Sequence, residues 1–260
     1  MNSQSNELKM TVDAETLEIQ YGANVRGPRP EYRTLDAIRS SLMDPDCGGP
    51  SPVYSIAMDV RLAGDEVDLN ARYLLFGVVA YAAGKLGKEP VRSQGHVHAI
   101  APHSGWSPPE LYEIWEGKAI IYAQEFAADD PGRCIAVTAG PGEHVVVPPG
   151  WAHAVINADP SRRMTFGAWC DRQYGFDYTG VRAHSGLAWF PVVEHDGKIG
   201  WKANPRYRDG RLLERKSRTY PELELDPHRS LYAQYRTRPE SVEWVAQPQR
   251  FAELWPSFLP

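Results

Sequence analysis

Residues 142–157, GEHVVVPPGWAHAVIN, leave the chain little choice of local structure. Two runs rich in β-branched residues flank Pro148-Pro149-Gly150. Proline withholds a backbone donor and glycine takes the dihedrals a tight turn needs, so the segment reads as strand, turn and returning strand. The same punctuation recurs along the chain. Twenty-two glycines and 22 prolines separate short apolar runs. Residues 74–83, 119–123, 134–138, 144–147, 153–157 and 164–169 are predicted strands, at the spacing of an all-β barrel or sandwich. One helix is expected over residues 34–43, where Leu35, Ile38 and Leu42 recur at helical spacing behind Thr34.

The histidines fall on these strands. In Gly95-His96-Val97-His98, residues two apart on a strand share a face, so His96 and His98 present both imidazoles to one point. An HxH pair alone is more often surface or core than a metal site. His153 lies on the returning strand, and two facing hairpins would bring it beside the pair. Glu110, seven residues before Gly117 in ELYEIWEG, is expected to enter the apolar run that becomes strand 119–123. Three histidines and one glutamate suit one divalent transition metal per subunit, Fe, Mn, Ni, Co or Zn, without selecting among them. Glu113 and Glu116 are expected to be solvated, and His144 to point away from the core. Asn157 is expected to bond neighbouring backbone, and Trp151 to pack under the metal cluster. Cys134 and Cys170 read as small buried hydrophobes.

Together these segments resemble the two sequence motifs of the cupin superfamily. The second motif matches throughout. The first matches in His96, His98, Glu110 and Gly117, but Pro90 replaces its opening glycine, and residues 99–109 lengthen the gap between His98 and Glu110. His103 and Trp106 in that insertion are either part of a lid or substrate wall, or surface decoration. Residues 84–89 (GKLGKE), 109–112 (PELY), 148–153 (PPGWAH), 176–178 (FDY) and 204–207 (NPRY) narrow the resemblance to cupin-type phosphoglucose isomerases. It covers roughly residues 50 to 207, and weakly the helix-bearing extension before them.

The resemblance implies a jelly-roll (double-stranded β-helix) barrel, a divalent metal, a homodimer, and interconversion of glucose 6-phosphate and fructose 6-phosphate. His96, His98, Glu110 and His153 would then be the metal ligands. Glu110 would be the catalytic base and Tyr112 its orienting or proton-shuttling partner; a metal-assisted hydride shift, needing no carbon base, stays open beside that route. Family phosphate contacts map onto Tyr54, Ser93, Gly95 and Tyr178. A family threonine appears here as Val79, which donates nothing, so Arg92 or Arg182 would have to compensate, or the sugar differs. The rival readings are a cupin dioxygenase with the same 3-His/1-Glu set and a non-catalytic sugar-binding cupin.

Composition bounds the rest. With 28 Lys+Arg against 33 Asp+Glu the chain is mildly acidic and has no basic block, which disfavours nucleic-acid and membrane-surface partners. No apolar run approaches a membrane span. The first residues lack a basic-then-apolar leader, and three widely spaced cysteines imply no disulfide framework, so a cytoplasmic setting is expected. The 260 residues divide into an N-terminal extension (1–55), the barrel with its metal site (56–192) and a C-terminal extension (193–260). Trp201, Trp244 and Trp255 in the last would cover a barrel edge or form a subunit interface.

Overall fold

The computed structural model describes residues 7–208 and 210–260. The first six residues of the expected N-terminal extension, and Asp209 of the C-terminal one, lie outside these described residues. Ten strands build two sheets: β1 (Glu31–Arg33), β2 (Tyr54–Ala57), β3 (Leu74–Tyr81), β4 (Glu110–Glu116), β5 (Ala119–Gln124), β6 (Cys134–Ala139), β7 (His144–Val147), β8 (Ala152–Asn157), β9 (Met164–Asp171) and β10 (Leu212–Lys216). One sheet runs β7-β4-β9-β3-β2-β1 and the other β8-β5-β6-β10. All neighbours are antiparallel except β6 and β10, which pair parallel. The two sheets face each other as a double-stranded β-helix, and the whole is all-β with short helical additions.

The six strands expected from the apolar runs are present with small shifts of boundary. The expected helix is shorter, an α-turn at Leu35–Ile38 continued by a 3-10 turn at Arg39–Ser41. Leu35, Ile38 and Leu42 still point into the core, as their spacing requires. One expectation is corrected. Glu110 does not lead into the strand over 119–123; it opens a separate strand, β4, in the opposite sheet. Gly117, at φ 79°, carries the chain from one to the other.

Strict alternation along β3 and β9 explains the layering. Leu75, Val79 and Tyr81, with Phe166, Ala168 and Cys170, face the space between the sheets. Leu74, Phe76, Val78 and Trp169 face outward. That outward face is itself buried, because the C-terminal segment lays Tyr220, Tyr232, Tyr235, Trp244 and Trp255 over it. Trp169 stacks on Tyr232 with ring centroids 5.5 Å apart and donates Nε1–H to the Leu231 carbonyl. On the other sheet, Ile120, Tyr122 and Ala154 are covered by Leu187 and Tyr207, with Trp201 leaning on Tyr122. The three tail tryptophans therefore cover sheet faces of their own chain. A sheet buried on both sides has continuous apolar strands, which is why β3 and β9 alternate so weakly in sequence.

Two corrections follow from this cover. Glu113 is buried, not solvated: its Oε2 accepts from the Leu231 amide at 2.8 Å, and burial raises its carboxyl to about 7. Glu116 is exposed as expected and pairs with Arg163. His144 does leave the barrel interior, but the C-terminal segment closes over it, and burial lowers its imidazole to about 4.

Candidate metal centre

The centre lies between the sheets, and each contributor arrives by a different route. β4 supplies Glu110 and Tyr112, two residues apart and on the inner face. β8 supplies His153. The short segment before Val97–His98 is tied to β8 by a reciprocal pair of backbone bonds, His96 N–H to the His153 carbonyl (3.1 Å) and His153 N–H to the His96 carbonyl (2.9 Å). Ring centroids of His96 lie 5.0 Å from His98 and 4.4 Å from His153. One donor atom from each of His96, His98, Glu110 and His153 falls within 4.8 Å of the others.

The donor chemistry of this cluster fits a metal. His98 Nδ1 sits 2.9 Å from the Pro108 carbonyl, and His153 Nδ1 3.0 Å from the Trp151 carbonyl. A carbonyl only accepts, so each Nδ1 carries a proton, and a ring in its neutral form then turns an Nε2 lone pair inward. The Nε2 atoms of His96 and His98 are buried with no hydrogen-bond partner. His98 Nε2 stands 3.4 Å and His153 Nε2 3.1 Å from Glu110 Oε2. Buried orphan acceptors around a carboxylate are costly unless a cation satisfies them.

Electrostatics agree. Burial, then the other two imidazoles, hold His96 well below the usual histidine range. Burial opposes charge on His98 as well, but the Glu110 carboxylate and the Pro108 carbonyl outweigh it and raise that ring. Burial would raise Glu110, yet the adjacent His153 and His98 rings hold it well below the carboxylate range. An ionised carboxylate among three imidazole nitrogens is the protonation state that ligation requires.

Two neighbours fix the carboxylate. Tyr112 donates its hydroxyl to Glu110 Oε2, and Cys170 donates Sγ–H to Oε1 at 3.1 Å. Cys170 is thus more than the small hydrophobe expected of it. On β9 it lies one inward step beyond Ala168, which pairs with Tyr112, and that step brings it level with Glu110. Cys134 does lie in an apolar cluster, on the outer face of the other sheet.

A cavity opens from the cluster. Tyr54, Ser93, Gly95 and Tyr178 line it together with His96, Glu110, Tyr112, His153 and Val79. Gly95 has φ 88°, and a Cβ there would meet Leu187 at 2.7 Å, so only glycine brings the backbone this close. Asn204 holds the Leu187 loop in place through bonds to the His184 and Leu187 carbonyls. Asn157 donates to the Ala82 and Arg162 carbonyls and touches nothing in the cavity, in line with its expected backbone role. Trp151 is buried in the core, with Arg133 over its ring.

Other expected contributors go elsewhere. Arg92 is buried and consumed: Nε pairs with Glu89 at 2.6 Å, and its other nitrogens bond the Ser41 and Ser93 carbonyls. Arg182 lies over the Tyr178 ring and bonds Gln94, outside the cavity lining. The 99–109 insertion is neither wall nor decoration. His103 stacks on Tyr73, bonds Gln173 and the Ala246 carbonyl and approaches Asp171 at 3.2 Å, while Trp106 packs with the outer aromatic cluster. The insertion docks the C-terminal segment.

Two facing sheets with three imidazoles and one carboxylate converging between them define the class: a cupin whose inner cluster is able to hold a metal ion. The family model described as Glucose-6-phosphate isomerase (GPI) matches residues 42–208, well over half of the chain. The chain belongs to that family. A glucose-6-phosphate isomerase of Thermococcus kodakarensis is 30% identical over 157 residues, which is 60% of this chain and 72% of the relative. One of Thermococcus litoralis is 31% identical over 156 residues, 60% of this chain and 71% of the relative. Among solved structures, an oxalate oxidase overlaps 50% of this chain and 57% of its own, at 14% identity and a TM-score of 0.35.

Proposed function

We propose that the chain is a metal-dependent aldose–ketose isomerase that interconverts glucose 6-phosphate and fructose 6-phosphate. The observation that carries this reading is the Glu110–Tyr112 pair, set between three inward-facing imidazoles and a cavity lined by hydroxyls, in a member of this family. His96, His98, Glu110 and His153 would hold a divalent transition metal, which when bound supplies Lewis-acid polarisation at the two sugar oxygens.

The chain's own residues account for the remainder. Isomerisation removes a proton from C2 of the aldose and returns one to C1, while a hydroxyl proton passes between the two oxygens. Glu110, ionised and fixed by two donors, would take the carbon-bound proton. Tyr112 donates to Glu110 at rest, and its buried hydroxyl keeps its proton because burial and the adjacent carboxylate both disfavour the phenolate. It therefore orients the base and can pass a proton to the developing sugar oxygen. Tyr54, Ser93, Tyr178 and the Gly95 amide are the neutral donors available to the phosphate end.

Two further elements belong to this reading. A homodimer is supported by β1, an open sheet edge whose Tyr32 is 42% exposed. A cytoplasmic setting is supported by Cys47, Cys134 and Cys170, all free thiols. Among the described residues no helix is long and apolar enough to cross a membrane. The substrate is tested by following fructose 6-phosphate with phosphorus NMR in the presence of metal-loaded protein. Growth of a glucose 6-phosphate signal to a fixed ratio is expected; an unchanged spectrum with bound metal contradicts the reading.

A further inference from the structure

Val79 leaves a gap in the cavity wall. It pairs with Ile56 of β2, is almost wholly buried, and offers only methyl groups to the cavity. Neither arginine expected to compensate reaches the cavity. Among the described residues that line it, Arg33 is the single arginine, and no lysine joins it.

Its position follows from strand register. Arg33 on β1 pairs with Tyr54 on β2, and Tyr54 pairs with Tyr81 on β3. Side chains at paired positions share a face. The Tyr54 and Tyr81 rings stack at 4.9 Å, and Arg33 stands beside both the Tyr54 and Tyr178 hydroxyls. A row therefore runs from Glu110 past Tyr81 and Tyr54 to Arg33. Metal cluster and cation occupy opposite ends of that row, as the two ends of a phosphosugar require.

Arg33 is also available. Among the described residues its one ion pair is with Glu31 at 2.9 Å, and that carboxylate is 70% exposed. Such an exposed pair holds a guanidinium weakly. A phosphate dianion in the cavity would meet a partly desolvated guanidinium with donors to spare, and the fork geometry suits two phosphate oxygens at once.

We propose that Arg33 is a substrate-binding residue that anchors the phosphate of the sugar, supplying the charge that the neutral lining around Val79 lacks. The N-terminal segment thereby supplies a specificity determinant for phosphorylated over unphosphorylated sugars. This rests on the isomerase reading for its substrate but not for its anion. The test uses metal-loaded full-length protein, R33M and R33K, with inorganic phosphate as the direct binding probe and fructose 6-phosphate as substrate.

In R33M the KM for fructose 6-phosphate should rise at least tenfold with kcat changed less than threefold. Phosphate affinity should fall in parallel, and R33K should restore part of both. Wild-type turnover with R33M unchanged in KM and phosphate affinity overturns the Arg33 assignment and leaves the isomerase standing. Arg33-dependent phosphate binding without turnover keeps the anion site and removes the isomerase. Wild-type protein that neither binds phosphate nor turns over the sugar overturns both.

Discussion

At the scale of residues, the centre depends on how Glu110 is held. Three groups reach its Oε2 and a fourth reaches Oε1, so the carboxylate has one orientation and one charge state. On the proposed reading, replacing it by glutamine keeps an oxygen for ligation but removes the base. E110Q should lose about 10²- to 10⁴-fold in turnover while retaining bound metal, read by elemental analysis beside the assay. Near-normal turnover would contradict the assignment. The convergence of the cluster was legible in sequence because two of its members stand at strand spacing and a third follows a Pro/Gly turn. Glu110 was legible as a candidate donor from its place before Gly117, but period alone did not separate its strand from the next. Cys170 and Arg33 were not legible. Each enters the site through pairings between strands far apart in the chain, 33 to 54 to 81 and 112 to 168, which no local pattern encodes.

At the scale of elements, β4 and β7 carry a buried pair of opposite chemistry. Glu113 and His144 occupy directly paired positions on the outward face, and the C-terminal segment seals both. Glu113 has its folded value raised from 4.5 to about 7, so between those pH values the native state keeps a proton that the unfolded chain has released. Its contribution to stability therefore falls as pH rises through that window. His144 is lowered from 6.5 to about 4, so the unfolded chain binds the extra proton there, and its contribution rises with pH. The two slopes oppose each other between pH 4.5 and 6.5 and should separate in single variants. E113Q should gain stability with rising pH in urea melts and H144Q should lose it, each by ~2–3 kcal/mol across the window. Parallel pH profiles for both variants would show that neither group is buried in this way. Sequence placed Glu113 in solvent because its cover comes from residues over a hundred positions away.

At the scale of the molecule, the barrel is one layer of a three-layer structure. Phe76, Trp169 and Leu111 face outward from the six-stranded sheet, and nothing in their strands says what covers them. The chain answers with its own C-terminal aromatics, clamped by the 99–109 insertion through His103. Removing residues 218–260 should therefore expose a broad apolar face, seen as strong dye binding and loss of the cooperative melt. A truncated chain with the full-length melting profile would mean the outer layer is dispensable. The open β1 edge leads to an expectation about assembly: light scattering at micromolar concentration should give twice the chain mass, and a homogeneous monomer would refute the dimer.

The central claim joins the metal cluster to isomerisation, and one measurement addresses both halves. Metal-stripped protein is reloaded separately with Fe(II), Mn(II), Ni(II) or Zn(II), given fructose 6-phosphate, and followed for glucose 6-phosphate by a coupled assay, with H153A in parallel. Turnover should appear only on reloading with at least one of these ions, and should be lost in H153A. Turnover in stripped protein or in H153A, or none with any ion in protein shown to hold it, would contradict the account.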